Sequence, residues 1–298
     1  MKTKAQTASI RHTGRATPYL FLAPYLLLFG TFVLLPALQG LWISLHDWDF
    51  LLPRRPWVGL RNYTTLFSPG SRDSGDFWQS MKATGLFTLF SVPPLVVVPL
   101  LVALLLNRQF PGRSFFRAVY FAPYVLGVAV VGLLWRFLLD PNIGLINHYL
   151  SATIPWTTAL PWAWISLVGM TVWWTLGFNA LIYLAGLQDI PRELYEAAKV
   201  DGATRSQQFL HVTLPGLKPV LLFVFTVTIL NSANMFGQSF LVTQGAPGNE
   251  TRTALMLIAE TGLRDFRMGS AAAMSYVLAL ALLGVSALNF RLFRQEDS

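Results

Sequence analysis

Hydrophobic residues in this chain come in long runs separated by short polar stretches. Six runs are long enough for a helix of roughly 20 residues to cross a bilayer core about 30 Å thick. They are Tyr19–Ser44, Ala83–Leu106, Phe115–Leu139, Trp162–Leu187, Val220–Val242 and Ser270–Phe293. The pattern predicts an all-α membrane protein of six transmembrane helices. The first run is too long for the apolar region of a signal peptide and ends on bulky residues, so it is read as a retained span. Pro24, Pro36, Pro93, Pro94, Pro99 and Pro123 fall inside spans. They would break helices in water, but neighbouring helices in a membrane bundle can satisfy the carbonyls they free, and each is read as a kink.

Composition agrees. Hydrophobic residues make up 54% of the 298 residues and charged ones only 12%, about half the share of a soluble domain. There is no cysteine, which excludes disulfides, thiolate metal sites and cysteine nucleophiles. The net charge of +8 is an orientation signal. Arg108, Arg113 and Arg117 cluster around the second loop with no acid, whereas the third loop, 140–161, has neither Lys nor Arg. Lys and Arg favour the cytoplasmic side, so both termini are placed inside (N-in, C-in). A nucleic-acid partner is not needed to account for the charge.

The spans lack the groups that catalysis or proton coupling needs at depth. They hold no Asp or Glu, and Arg136, near the outer end of the third, can snorkel to the interface. The histidines, His12, His46, His148 and His211, lie outside spans or at their edges, with no H-E-x-x-H pattern, and no phosphate-binding G-x-x-x-x-G-K-[ST] loop occurs. The chain is therefore read as a non-enzyme with no catalytic or metal residue. Its polar groups at depth are neutral. Asn231, Asn234 and Gln238 recur at i, i+3 and i+7, which predicts one helical face, with Thr228 close by. Thr175, Asn179 and Tyr183 recur at four-residue intervals in the fourth span. Amides supply paired donors and acceptors for hydroxyls, and aromatic faces suit sugar C–H surfaces. The competing reading is that these groups join helices to one another.

The loop between the fourth and fifth spans, 187–219, balances its charge and reads as two short helices. Asp189 is placed to cap the first, with Pro191 and Glu193 in its first turn. Asp201 is placed to cap the second, and Gly202 punctuates. A mixed-charge helical hairpin at the membrane edge suits a protein partner.

Here the sequence resembles a family. EAAKVDGA, from Glu196 to Ala203, followed by Phe209 and LPGLKP to Pro219, is similar to the EAA loop of binding-protein-dependent ABC importer permeases. WVGLRNYTTLF at 57–67, GLIN at 144–147, LQDIP at 187–191 and TQGAPGNETRT at 243–253 resemble further blocks of the carbohydrate-importing members. The likeness runs from about Tyr19 onward, closest to the first permease subunit of the maltose and glycerol-3-phosphate importers. It implies a type I importer permease fold in the bacterial or archaeal plasma (inner) membrane. A six-helix domain would occupy 19–293, between a cytoplasmic tail at 1–18 and a C-terminal tail at 294–298. The implied partners are a second homologous permease forming a heterodimer, two cytoplasmic ATPase subunits that bind ATP and Mg, and an extracytoplasmic solute-binding protein. This chain itself would hold no cofactor. The resemblance implies that the loop at about 188–218 couples to the ATPase through Glu196, Ala197, Ala198, Asp201, Gly202 and Ala203. Asn231, Asn234, Gln238, Thr175, Asn179 and Tyr183 are the expected substrate path. The competing function is a stand-alone carrier or facilitator for a neutral polar solute.

Overall fold

In a computed structural model, residues 17–294 are described. The expected tails at 1–18 and 294–298 lie almost wholly outside them. The described chain is helical and contains no strand, only two isolated antiparallel bridges, His46 with Trp57 and Asp49 with Arg267. Its helices are α1 (Thr17–Phe29), α2 (Leu35–Ser44), α3 (Arg61–Phe67), α4 (Arg72–Asn107), α5 (Arg113–Val125), α6 (Val128–Leu138), α7 (Leu145–Leu150), α8 (Trp162–Asp189), α9 (Arg192–Val200), α10 (Arg205–Gln208), α11 (Leu214–Gly216), α12 (Lys218–Ala233), α13 (Ala254–Ala259) and α14 (Met268–Arg294). Wider π-helical turns follow α1, α10 and α13, and another spans Ser239–Thr243.

Among the described residues, four helical stretches are long and apolar enough to cross a membrane: Tyr19–Ser44, Arg72–Asn107, Trp162–Asp189 and Met268–Asn289. Two bent pairs bring the number to six if each is one span. The third expected span is thus corrected: α5 and α6 meet at 96°. The chain is extended at Leu126 and Gly127 (ψ 134° and 150°), which ends one helix and starts the next. The fifth is corrected too. The segment Arg205–Gly216 meets α12 at 67°, and α12 stops at Ala233, before a non-helical Asn234–Phe236.

Parallel α4 and α8 form the centre of the bundle. Their lower ends, with Leu100, Ala103, Leu184, Leu187 and Ile190, share a buried cluster with Leu217 and Val224. Their upper ends pack through Ala83, Phe87, Leu167 and Met170 against Val131, Met235 and Val242. A third cluster joins Leu66 and Phe77 to Leu257, Ala273 and Met274. Close packing and interhelical hydrogen bonds hold such helices together, since lipid tails are as apolar as the side chains. At Gly177 of α8 the backbone of α5 at Tyr120 and Phe121 occupies the space a Cβ would need, so only glycine allows that crossing.

One of the span prolines, Pro99, behaves as the bundle argument requires. Pro99 lacks the N–H that would bond the Leu95 carbonyl. Asn179 Nδ2 of α8 donates to that carbonyl instead, at 3.1 Å. Ser91 Oγ to Ser232 Oγ (3.0 Å) and Asn289 Nδ2 to Thr226 Oγ1 (2.7 Å) tie α12 to its neighbours.

Candidate functional site: a neutral polar cleft and a helical hairpin below it

Halfway through the bundle, α4, α5, α6, α8 and α12 surround a cleft of about 400 Å³. Its wall contains Thr171, Trp174, Thr175, Phe178, Asn179, Thr228, Asn231, Asn234 and Gln238, with Phe87, Tyr124 and Phe236, and no Asp, Glu, Lys, Arg or His. The break in α12 builds one side. Asn231 sits on the helix, Asn234 is its C-terminal cap residue, and Gln238 follows the non-helical stretch. The three amides therefore do not share one continuous helical face, contrary to the i, i+3, i+7 expectation. The break still turns all three toward the same cleft.

The amides differ in what they have left to offer. Asn234 Nδ2 donates to Leu230 O at 2.8 Å, and Thr175 Oγ1 donates to Thr171 O at 2.9 Å. Asn179 uses its Nδ2 on α4, so its carbonyl oxygen remains. The side chains of Asn231 and Gln238 make no hydrogen bond among the described residues. A free amide at the edge of a cleft can both donate to and accept from a hydroxyl. Tyr183 falls elsewhere, fully buried in the lower cluster with Leu184 and Leu187, and does not line the cleft.

Aromatic residues that sequence spacing did not single out complete the wall. Tyr124 and Phe178 stack with centroids 4.6 Å apart and planes 14° from parallel. Trp174 is fixed by its Nε1–H donating to Leu126 O at 3.0 Å. That carbonyl lies in the bend between α5 and α6, so the broken helix positions the indole. The only sequence signal for Trp174 is its place one residue before Thr175.

Below the cleft, α9 and α10 form the expected hairpin, with different caps. Asp189 ends α8, the cap position of α9 is Pro191, and Asp201 closes α9 at its C-terminus. The cap of α10 is Thr204, in a reciprocal box with Gln207. Gly202 lies between them with φ +76°. Ala203 N donates to Ala198 O (2.8 Å) and Gly202 N to Lys199 O (3.1 Å), the paired closure of a helix on a left-handed residue. Tyr195 and Val212 pack under the lower cluster, and Tyr195 Oη lies 3.0 Å from Thr213 Oγ1. Glu196, Ala197, Asp201 and Gly202 face outward, Ala198 and Ala203 are half-buried, and Val200 is 88% exposed.

At the upper end, charges pair closely. Arg267 Nη1 donates to Asp73 Oδ1 at 2.9 Å, which holds the Arg267 guanidinium above its usual range. Nearly buried Arg252 lies between Asp76 (3.1 Å) and Glu260 (3.6 Å). In the third loop, backbone N–H groups of Ile143 and Asn142 push the Asp140 carboxyl down. Asn147 of the GLIN block gathers Pro141 O, Ile154 and the Trp156 indole around one side chain. Among the described residues no cluster of His, Asp or Glu could hold a metal.

Residues 72–293 match the model of a family described as binding-protein-dependent transport system inner membrane component. The trehalose/maltose transport system permease protein MalF of Thermococcus litoralis is 33% identical over 282 residues, 92% of this chain and 94% of that one. The sn-glycerol-3-phosphate transport system permease protein UgpA of Agrobacterium fabrum is 31% identical over 287 residues, 95% and 96% of the two chains. Among solved structures, a chain of a bacterial alginate ABC transporter, in complex with a periplasmic protein carrying an alginate pentasaccharide, superposes with a TM-score of 0.80 at 23% identity, over 94% of each chain.

Proposed function

The chain belongs to the family of binding-protein-dependent transport system inner membrane components, and from that premise we propose that it forms half of an import path for a neutral oligosaccharide or similar polyhydroxylated solute. It is a transmembrane permease component, not an enzyme. The observation that carries the solute class is the cleft itself: two unengaged amides, Asn231 and Gln238, among stacked aromatics, with no charge in the wall. Sugars need many weak donors and acceptors plus flat apolar faces. A phosphate or uronate needs a cation or a helix N-terminus aimed at it, so the solutes in the names of UgpA and of the alginate transporter fit this wall poorly. The solute in the name of the Thermococcus relative fits it well.

The remaining assignments follow from that reading. The path residues are Asn231, Asn234, Gln238, Thr175 and Asn179, without Tyr183, which is buried in the lower cluster. A second, homologous permease supplies the other half of the path. Two ATPase subunits with their ATP and Mg bind below the two permeases, one of them at this chain's Glu196, Ala197, Ala198, Asp201, Gly202 and Ala203. An extracytoplasmic binding protein delivers solute from above. The six-helix domain covers 19–293 and its coupling loop 188–218, in a bacterial or archaeal plasma membrane with both termini cytoplasmic. ATP-driven movement of α9 shifts the cleft between outward and inward access.

The test is uptake into vesicles carrying the assembled transporter. Replacing Asn231, Asn234 and Gln238 together by alanine is expected to slow oligosaccharide uptake about tenfold or more, the scale of two or more lost hydrogen bonds, with subunit assembly unchanged. Uptake at the normal rate would return the amides to a purely structural role.

A further inference from the structure

Thr253 stands at the N-terminal cap position of α13, with extended backbone (φ −72°, ψ 160°). A threonine there normally turns its hydroxyl back to the free N–H groups of its own helix. This one does not: no side-chain cap bond is made. Its Oγ1 donates instead to the carbonyl of Met235, at 2.7 Å, inside the break that ends α12. A break strips backbone carbonyls of their helical partners, and this one is buried.

Another free N–H at the same helix end finds its partner on α4. Ala254 N donates to Thr84 Oγ1 of α4 at 2.9 Å, and Thr84 donates onward to Ser80 O at 2.9 Å. The same loop grips the far end of the wall segment. Thr251 Oγ1 meets Thr243 Oγ1 at 2.8 Å, and Ser239 Oγ donates to Thr251 O. Residues 235–243, which carry Gln238, are thus held at both ends by 251–253. Outside, the loop is fastened to the upper half of α4 by Gln79 Nε2 to Gly248 O at 3.2 Å.

A local preference overridden in this way marks a position where the fold serves something other than its own stability. We propose that Thr253 is a positioning residue for the solute path: its hydroxyl, diverted from its own helix, holds the break in α12 and fixes where Gln238 stands in the cleft. The inference rests on the reading of the cleft as that path.

The chain contains no cysteine, so a single reporter placed in it can be read on this chain, separated by electrophoresis after labelling of the assembled transporter. Gln238→Cys reports the wall beyond the break, and Asn231→Cys reports the intact helix before it. Thr253→Val keeps the shape and removes the hydroxyl; Thr253→Ser keeps the hydroxyl. Thr253→Val is expected to change maleimide labelling at position 238 about fivefold, leave 231 unchanged, and slow uptake by the transporter without a reporter about tenfold, whereas Thr253→Ser behaves as Thr. Unchanged labelling at 238, equal changes at both reporters, or a serine variant as impaired as valine overturns the positioning role. A shift confined to 238 with uptake unaffected keeps the clamp and overturns the path reading instead.

Discussion

Asn179 shows how one side chain can serve both readings of an intramembrane amide. Its NH₂ group donates to the Leu95 carbonyl, which Pro99 leaves without a ladder partner. Its oxygen remains available at the cleft. Removing the donor costs the desolvation of a buried carbonyl, about 1–3 kcal/mol. Asn179→Leu is therefore expected to lower the thermal midpoint of the assembled transporter. Pro99→Ala alone restores a backbone N–H that Leu95 can use. The double variant Asn179→Leu, Pro99→Ala should recover most of the lost stability, as a thermal-melt cycle would show. Additive losses would mean that the Asn179–Leu95 bond does not answer the proline. Residue chemistry was legible in the sequence to this extent: neutral amides at depth are visible as letters, but which of them already has a partner is not. Tyr183 carries the same i+4 spacing as Thr175 and Asn179, yet rotates into the lower core, because a spacing of four on a 3.6-residue repeat drifts around the helix.

Among elements, the long uniform runs at Tyr19–Ser44 and Trp162–Leu187 read correctly within a few residues. The two that did not read as single spans are broken by backbone conformation, at Leu126–Gly127 and Asn234–Phe236, where hydropathy stays high and gives no warning. Those breaks make the cleft, so the site was the least legible part of the fold. The α9–α10 hairpin shows the reverse case. Its helices were visible, but its acidic residues are not the N-caps: Asp201 closes α9, and the Thr204–Gln207 box starts α10. Between them Gly202 holds φ +76° in open space, with nothing within 4 Å of a would-be Cβ. The demand is on the backbone alone, where a left-handed L-residue costs roughly 1–2 kcal/mol, least for Asn. Gly202→Asn is accordingly expected to keep most uptake. Gly202→Val, β-branched and poorly tolerated there, should lose most of it while the chain still inserts in the membrane. Equal uptake by both variants would show that the turn does not matter to transport.

At the scale of the molecule, the described chain leaves surface open at both ends. An apolar cleft at the upper end, among Ile43, Phe236, Leu255, Ile258, Leu263 and Met268, has almost no polar lining. The solute cleft has walls from α4, α5, α6, α8 and α12, with no described residue of α1, α2 or α14 in its lining. At the lower end the outward face of α9 mixes a carboxylate, Glu196, with an aliphatic side chain, Val200, that is 88% exposed. An exposed apolar residue beside a charge is the composition of a contact surface, with the charge setting partner choice more than affinity. The two surfaces lie at opposite ends, so damage to one should leave the other intact. Glu196→Lys reverses the charge on an exposed side chain and should not disturb folding. Purified from its native membrane in mild detergent, the Glu196→Lys chain is expected to retain the second permease and to lose most of the ATPase. Loss of both partners would mean that the substitution damages the fold. Retention of both would remove α9 from the ATPase contact, and the coupling would then have to pass through some other part of the lower end, with α10 and its Thr204–Gln207 box the next segment to test.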